Sequence, residues 1–428
     1  METVCQKDRG LILLTGVTYS GKTLTFALNI PPLIEDVSHH PAVPGPNDLV
    51  LVRARLTDDL SSAYGFVHHR VSSPTPGAFL TTALRDDGLA GDELAGDGIH
   101  SAVLPAQADG TVVEFYLEAF DRIQSRRWPG PTSPRGAQNA NLLYQVDAEV
   151  HTGREPFYRI VLSASENDEF NDIPFDTSER NTNARFNATF IAQLGDEFTT
   201  IYRCGMRIRG SGSRSRYPRS LKVELPSTQS WQGDEELNLN SQFTYNQLLG
   251  SLFYREAGLP AYESKAVQVR MNGFNHAAPE NDTAARPFER HYGLYVHNEP
   301  INSQFANMHY PLNPSGNLYR MAGGGNAWEY FPNSEDLAAD YTAAGWDKET
   351  NTSANDWRDL HIFVGVMTNA SGPDYPEEVE AVMDLASWLR SLAVSTILTN
   401  SENTLFTGTN DDYPVYGTTT VPSTLRPD

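Results

Sequence analysis

Between residues 49 and 150 the chain alternates short apolar runs with clusters of turn residues, and this pattern constrains the fold more than any other feature. The runs are too short for the helices of a bundle and have the length and spacing of strands in a β-sandwich. The 32 glycines and 27 prolines supply the turns that such a fold needs. The five predicted strands are Leu49–Leu56, Tyr64–Val71, Ile99–Leu104, Thr111–Phe120 and Leu142–Val150.

A chain of 428 residues is long enough for two or three domains. Five prolines between residues 31 and 46 predict a linker before the sandwich, and a second boundary is predicted near residue 153. The predicted division is 1–46, a β remnant of a preceding module with its Pro-rich linker, then 47–153, the sandwich, and then 154–428, an α+β domain.

The third part shows strand patterns first and helical patterns later. The first predicted helix carries Leu248, Leu249, Leu252 and Phe253 at helical spacing, which predicts that it belongs to the core, and Gly258 offers a left-handed cap at its end. The predicted strands are Phe157–Leu162, Ala184–Leu194, Thr200–Arg209, Ser220–Leu225, Lys265–Asn272 and His291–Asn298. The predicted helices are Gln242–Ala257, Asp356–Asn369 and Glu377–Thr399.

Residues 16–23, GVTYSGKT, match the phosphate-loop pattern of nucleotide-binding proteins. That motif binds phosphate only when a helix follows it, because the anion sits on the amides of the helix N-terminus. Here Leu24, Phe26 and Leu28 alternate with other residues before Pro31, which is a strand pattern. The segment therefore predicts a hairpin turning at Ser20 and Gly21 rather than a nucleotide site.

Residues 85–98 form a turn rich in Asp and Gly. Asp-Gly pairs provide the positive φ angles of tight turns, and this turn chemistry is the leading interpretation. Carboxylates so close in sequence could also hold Ca²⁺, although their spacing does not fit the EF-hand pattern.

A run of cations stands out in an acidic chain. With 32 basic and 54 acidic residues the net charge is −22, which disfavours nucleic acid and anionic membranes as partners. Seven cations and no carboxylate lie between residues 203 and 222, so a local site for an anion such as phosphate is predicted. The alternative is a strand face paired with the chain's own carboxylates. We call these residues the basic strip: Arg203, Arg207, Arg209, Arg214, Arg216, Arg219 and Lys222.

The stretch from residue 202 to 225, YRCGMRIRGSGSRSRYPRSLKVEL, resembles the spore-coat CotH kinase family of atypical protein kinases. Four further segments follow in the family's order, and the resemblance covers about residues 156–416. They are 267–273 (VQVRMNG), 292–299 (YGLYVHNE), 316–320 (GNLYR) and 356–360 (DWRDL). Residues 49–131 resemble the immunoglobulin-like module that precedes such domains in large exported bacterial proteins, at times beside lamin-tail-like modules. The expected fold is thus multidomain, an all-β immunoglobulin-like sandwich followed by an α+β atypical kinase-like domain.

The resemblance implies ATP-dependent phosphoryl transfer with Mg²⁺ or Mn²⁺. Arg219 stands where the family has a phosphate-contacting lysine and Lys222 where it has a second cation; Arg209 of the same strip is assigned to phosphate with them. Glu299 matches a glutamate of the family's Gly-Leu-Tyr segment, with an ion pair that supports the sheet as its alternative role.

The family's catalytic aspartate corresponds to Glu402, the candidate base, and its metal-binding asparagine to Asp412. A further metal carboxylate, expected after Tyr416, is missing from the last residues, so the chain is expected to be either truncated or a degenerate member.

The leading functional expectation is a kinase domain that binds ATP and phosphorylates a Ser or Thr hydroxyl of a coat or exported protein of unknown identity. The alternative is a non-catalytic pseudokinase that serves as a structural or binding protein of the cell surface or an exported assembly. The partners are then a nucleotide and a protein substrate, without nucleic acid. A mean hydropathy of −0.44 and the lack of a long apolar run predict no membrane span. An exported or extracellular bacterial protein is expected, although the N-terminus shows no signal peptide.

Overall fold

The structure is a computed structural model of the whole chain. It describes residues 4–8, 11–19, 22–59, 62–132, 137–173, 182–210, 212–278, 293–321, 326, 328–400 and 414–417, with the backbone alone for residues 4–28, 212 and 215. The chain folds as two compact units. Unit 1 comprises Met1–Trp231 and Ala266–Tyr295, and unit 2 comprises Gln232–Lys265 and Val296–Asp428.

Unit 1 begins with a small antiparallel sheet of β1 (Val4–Asp8), β2 (Leu11–Tyr19) and β3 (Lys22–Leu28). β2 and β3 pair antiparallel with Tyr19 opposite Lys22, which agrees with the predicted hairpin, and its predicted turn residues Ser20 and Gly21 lie outside the described part of the chain. A strand rather than a helix follows the phosphate-loop pattern, and a strand presents no row of free N-terminal amides to a phosphate.

Two further sheets of unit 1 share one hydrophobic core. The first has the order β4-β5-β8, and the second has the order β10-β9-β6-β7 with β11 also paired to β9. Val52, Leu104, Phe115 and Leu117 lie between them with little or no exposed surface. The strands are β4 (Leu33–His40), β5 (Val50–Thr57), β6 (Tyr64–Val71), β7 (Leu80–Leu84), β8 (Ile99–Leu104), β9 (Val112–Phe120), β10 (Ser125–Trp128) and β11 (Leu142–Gln145).

The predicted linker is wrong over Leu33–His40. This segment is strand β4, which pairs with β5 and buries Ile34 in the shared core. Its prolines flank the strand rather than interrupt it, and proline at a strand end removes no ladder hydrogen bond. The last predicted strand of the sandwich ends at Gln145 instead of Val150. The immunoglobulin-like character of the sandwich and the two predicted domain boundaries stay predictions.

The chain then builds a larger sheet. In unit 1 the strand order is β15-β14-β13-β12-β17, antiparallel except for the parallel pair β12 and β17. The elements of this region are β12 (Phe157–Leu162), α1 (Ala164–Asp172), β13 (Phe186–Leu194), β14 (Glu197–Ile208), β15 (Leu221–Glu224), β16 (Glu236–Asn240), α2 (Thr244–Glu256), β17 (Ser264–Met271) and β18 (Tyr295–Asn298).

Helix α1 was not predicted, although its sequence carries a start signal. The Ser163 hydroxyl accepts a hydrogen bond from the amide of Glu166 (3.3 Å), and it donates one to the Glu166 carboxylate (2.8 Å). A serine followed three residues later by glutamate is the capping box of helix N-termini. The other oxygen of Glu166 accepts from the amide of Asn187, so the cap also fixes the helix to β13.

Unit 2 contains the antiparallel pair β16 and β18 and a three-stranded sheet of order β20-β19-β21. Its core contains the large side chains Tyr319, Tyr341, Trp346, Trp357 and Phe363. Its remaining elements are α3 (Ser303–His309), β19 (Asn317–Met321), α4 (Leu337–Ala343), β20 (Trp346–Lys348), α5 (Arg358–Asn369), α6 (Tyr375–Val382), α7 (Leu385–Ile397) and β21 (Pro414–Gly417).

Two helix predictions in unit 2 are wrong in part. The single helix expected over Glu377–Thr399 is two helices, because the backbone is extended at Met383 and the Asp384 side chain accepts from the amide of Ser387 to start α7. Helix α2 ends before Gly258 as predicted, with a positive φ at that glycine. Its Leu249, Leu252 and Phe253, however, are about half exposed rather than in the core.

Across the described part of the chain, no helix combines the length and the apolar character that crossing a bilayer requires.

Candidate functional site

The basic strip runs along the end of β14, through a turn and into β15. Arg207 on β14 lies opposite Lys222 on β15, so two cations share one strand pair. Arg207 reaches the Glu224 carboxylate at 3.6 Å, and Arg185 pairs with the same carboxylate. Part of the basic strip is thus paired with the chain's own acidic residues. This pairing is the alternative role that the sequence allowed for these cations.

Arg214 is a buried cation that holds the turn between the two strands. Its guanidinium donates to the carbonyl oxygens of Gly210 (2.5 Å) and Thr182 (3.0 Å) and to the amide oxygen of Asn183 (2.7 Å). Desolvation, and then the neighbouring Arg207, lower its pKa. These bonds tie the turn to the segment before β13 and fix the backbone around the strip.

Arg219 lies deeper, with 4% of its surface exposed. Its guanidinium lies over the ring of Phe170 of α1 at 5.5 Å and donates to the carbonyl of Ile173, just after that helix. Burial lowers the pKa of this arginine, although guanidinium keeps its proton at any physiological pH. Helix α1 therefore places an aromatic face and a carbonyl against the cation that the sequence assigned to phosphate.

A cleft opens beside Arg219 within unit 1. Its inner part is a cavity of about 80 Å³ whose walls include Phe170, Asn171, Tyr217, Arg219, His276 and Tyr295. An outer part of about 390 Å³ shares Asn171, Tyr217 and His276 with it and adds Asn167 and Phe274. Pockets of a few hundred Å³ with apolar walls and a few polar groups are typical of small-molecule sites.

A polar pair lines both parts of the cleft. The Tyr217 hydroxyl lies 2.9 Å from Nδ1 of His276, and the His276 ring packs edge-on against Phe274 and Phe170. Burial, followed by the nearby positive charge of Arg219, lowers the pKa of His276 to about 4. His276 is thus neutral at neutral pH, and among the described residues that line the cleft Arg219 carries the permanent positive charge.

Glu299 lies in unit 2, at the end of β18. Its carboxylate accepts hydrogen bonds from the amide of Glu263 (3.0 Å) and from Nε2 of His309 (2.9 Å). This is the supporting ion pair that the sequence left as an alternative role for Glu299. Nearby, burial raises the pKa of Asp234 to about 6, where Lys265 opposes the shift and Glu299 adds to it.

The structure brings together only some of the predicted site residues. Arg209, Arg219 and Lys222 lie on one strand–turn–strand segment of unit 1, and Glu299 belongs to unit 2. Glu402 and Asp412 lie outside the described residues. The roles assigned to all six stay predictions. Sequence reasoning assigned no role to Tyr217, His276 or Asn171. Tyr217 lies within the family-like stretch 202–225, but the three residues come together only through folding.

The Asp- and Gly-rich turn brings carboxylate oxygens of Asp86, Asp92 and Asp97 within 4.8 Å of one another. Asp86 accepts hydrogen bonds from the amides of Gly96, Asp97 and Gly98, and Asp92 accepts one from Gly88. Backbone hydrogen bonding therefore accounts for Asp86 and Asp92 without an ion, in agreement with the turn interpretation.

The chain matches one known protein family over its second half. The family described as CotH kinase protein matches residues 206–420, half of the chain. The chain belongs to the CotH kinase family. The family predicted from the sequence is thus confirmed, and an atypical kinase-like function follows at that coarse level.

The CotH kinase match begins within β14 and includes all six predicted site residues. It does not extend to the sandwich. Among curated proteins none matches the chain.

Proposed function

We propose that this CotH kinase family chain binds ATP at the part of the basic strip formed by Arg209, Arg219 and Lys222, and transfers its γ-phosphoryl group to a Ser or Thr hydroxyl of an exported or coat protein. The observation that carries this proposal is the position of Arg219, a nearly buried cation that lines a cleft. Burying a cation is costly, and a site that gains an anion recovers part of that cost. A cation beside a cavity is therefore the arrangement that phosphate recognition requires.

The cleft fits part of a nucleotide chemically. Arg219 supplies a guanidinium for a phosphate oxygen, and the aromatic side chains of Phe170, Tyr217 and Phe274 supply flat apolar surface. Arg209 and Lys222 add positive charge on the same segment. Mg²⁺ or Mn²⁺, when bound with ATP, would neutralise phosphate charge, and Asp412 is its proposed ligand.

In the proposed reaction the acceptor hydroxyl oxygen bonds to the γ-phosphorus while the bond from phosphorus to the β–γ bridging oxygen breaks. ADP leaves, and Glu402 takes the hydroxyl proton. Arginine forms paired hydrogen bonds to phosphate, so Arg219 would both orient the nucleotide and hold negative charge that develops on its phosphates. Export of the protein is proposed from the sequence resemblance alone.

The test is ATP binding measured by calorimetry and thermal shift with Mg²⁺ and with Mn²⁺. We expect Arg219→Ala to weaken binding at least about tenfold, since a charge-assisted hydrogen bond contributes roughly 1.5–3 kcal/mol. Arg219→Lys, which restores the family's residue, should keep most of the affinity. Arg203→Ala removes an exposed cation of the same strip and serves as the matched control. Equal binding by the wild type and Arg219→Ala would refute the assignment.

A non-catalytic role is the second candidate, and two contacts favour it. Arg207 is paired with Glu224, and Glu299 is paired with His309. In this case the basic strip and the Glu299 region serve as scaffold. Mass spectrometry of the chain and of a basic protein acceptor after incubation with ATP separates the two functions. Nucleotide binding without any phosphorylated product would favour the pseudokinase.

A further inference from the structure

Helix α2 is oriented with its apolar side outward. Leu249, Leu252 and Phe253 are 52%, 47% and 48% exposed, whereas Thr244 and Ser251 on the opposite side are buried. A surface helix of a soluble protein normally has the reverse arrangement. Places where a sequence breaks such a rule are commonly functional sites.

The inner side of α2 is fixed by hydrogen bonds of polar side chains. The amide oxygen of Gln247 accepts from the side chains of Asn240 (2.7 Å) and Asn298 (2.6 Å). The Ser251 hydroxyl donates to the carbonyl of Tyr262, and the hydroxyls of Tyr254 and Ser395 are hydrogen-bonded. Rotating the helix to bury its leucines would leave these groups without their hydrogen-bond partners, which is costly for buried polar groups. The outward face of α2 is therefore a stable feature of unit 2.

Leu249, Leu252, Phe253 and the exposed Glu256 follow one another at positions i, i+3, i+4 and i+7, so they form a single stripe along the helix. We call these four residues the α2 stripe. Its apolar part exposes on the order of 300 Å², which is the lower end of the size of the largest apolar patch on a typical monomer, a patch that is often functional. A stable dimer needs about 800 Å² from each partner, so the stripe suits a short segment rather than a second copy.

Charge defines the partner further. Unit 2 contains 23 acidic and 7 basic residues, and the stripe itself ends at Glu256, near the negative end of the helix dipole. A second copy would bring the same negative charges against these. A segment that carries Lys or Arg beside its apolar residues meets both the apolar and the acidic part of the stripe.

We infer that the α2 stripe is a docking site for a short, basic, amphipathic segment of another protein. Leu249, Leu252 and Phe253 contact the apolar side chains of that segment, and Glu256 pairs with a cation at one end. In this mode of binding, the partner contacts one side of the helix through apolar side chains that are three to four residues apart. It is independent of the nucleotide proposed above.

The test uses a fluorescein-labelled peptide of about 15 residues in which leucines recur every three to four positions and the remaining positions are Lys. Its counterpart has Glu in place of each Lys. Binding to the full chain is followed by fluorescence anisotropy without nucleotide, so the result does not depend on the proposed kinase function. We expect the Lys peptide to bind, the Glu peptide to bind at least about tenfold more weakly, and Leu249→Ser/Leu252→Ser to weaken the Lys peptide at least about tenfold.

The matched control is Leu389→Ser/Ile397→Ser, which removes two exposed apolar side chains of α7 and should leave binding unchanged. Glu256→Gln should weaken binding a few-fold and reduce its salt dependence. Circular dichroism melting checks that each variant is folded, which is expected because all the changed positions are exposed. The inference is overturned if the α2 double variant binds like wild type or if both peptides bind equally. Sedimentation that shows a dimer abolished by Leu249→Ser/Leu252→Ser would overturn it in favour of a second copy.

Discussion

The hydroxyl of Tyr202 donates a hydrogen bond to Nδ1 of His39. Tyr202 lies on β14 of the larger sheet and His39 on β4 of the sandwich, yet Tyr202 belongs to the hydrophobic core of the sandwich. Nε2 of His39 lies 3.0 Å from the carbonyl of Ala42, so the ring donates there and accepts from Tyr202, which is the pattern of a neutral imidazole. The sandwich and the larger sheet are thus joined through buried polar groups as well as through apolar packing.

This pair predicts an acid-sensitive fold. Burial lowers the pKa of His39 to about 4, below its ordinary value of 6.5. Between these values the unfolded chain binds the extra proton, so the free energy of unfolding falls as pH falls from 6.5 to 4. His39 should contribute up to roughly 3 kcal/mol of this loss. Urea unfolding followed by Trp fluorescence at pH 7.5, 6 and 5 measures it.

His39→Gln, which stays neutral, isolates the contribution of this one residue. We expect the difference in unfolding free energy between wild type and variant to shrink as pH falls toward 4. Raised carboxyl pKa values such as that of Asp234 act in the opposite direction but occur in both proteins. A difference that stays constant over this range would contradict the assignment.

The strands of the sandwich were predictable because their alternation and turn residues are local signals. Strand β6 was predicted with the bounds it has. Strand β4 was missed because flanking prolines outweighed its short apolar pattern, and pairing with β5 decides its structure. The inverted face of α2 could not be predicted, since hydrogen bonds from distant residues such as Asn298 decide which side is buried. The local periodicity of a sequence shows which side of a helix is apolar, but it does not show which residues of the fold that side contacts.

The interface of β11 with the larger sheet provides a second prediction. The amide of Leu143 donates to the hydroxyl of Thr189 (3.2 Å), and both residues are buried. Thr189→Val keeps the shape but removes the acceptor, so we expect a loss of about 1–3 kcal/mol in the free energy of unfolding. Thr57→Val makes the same chemical change at an exposed position of β5 and should have little effect. Equal stability of both variants would show that the Thr189 bond does not matter.

Removal of N-terminal segments provides a third prediction. Val112 and Leu143 of the sandwich pack with Val161 and Ile191 of the larger sheet. A chain that begins at residue 154 exposes the apolar side chains of that sheet, so we expect it to aggregate or to melt at a lower temperature than the full chain. Light scattering and thermal melting measure this outcome. A monomeric chain that melts like the full one would show that the sandwich is dispensable for folding.

A chain that begins at residue 29 is the matched control, because it retains Asn29, which bonds to Asp121 of the sandwich. It removes only the three-stranded sheet with the phosphate-loop pattern. We expect it to melt like the full chain and to bind ATP with unchanged affinity, since that pattern forms a hairpin. If the chain that begins at residue 29 does not bind ATP while the full chain does, the nucleotide site lies at residues 16–23 instead.

The candidate site was only partly predictable, for a related reason. The basic strip is a local excess of charge and is visible in the sequence, as is the position of Arg219 within the family's segment. Its burial against Phe170 depends on α1, and the pairing of Tyr217 with His276 joins residues far apart in the chain. Contacts of this kind depend on the tertiary fold, so no regular spacing of residues in the sequence predicts them.

The carboxylates of the Asp- and Gly-rich turn have two interpretations, hydrogen bonding within the turn and Ca²⁺ binding, and stability measurements distinguish them. Asp86 accepts three backbone amide hydrogen bonds, so Asp86→Ala should lower stability by about 1–3 kcal/mol whether or not Ca²⁺ is present. Asp97 accepts one, from the amide of Ile99, and Asp97→Asn retains an acceptor oxygen and should have little effect. Melting temperatures with chelator and with millimolar Ca²⁺ should agree for wild type. A Ca²⁺-dependent rise in wild type that disappears in Asp97→Asn would establish a cation site at this turn instead.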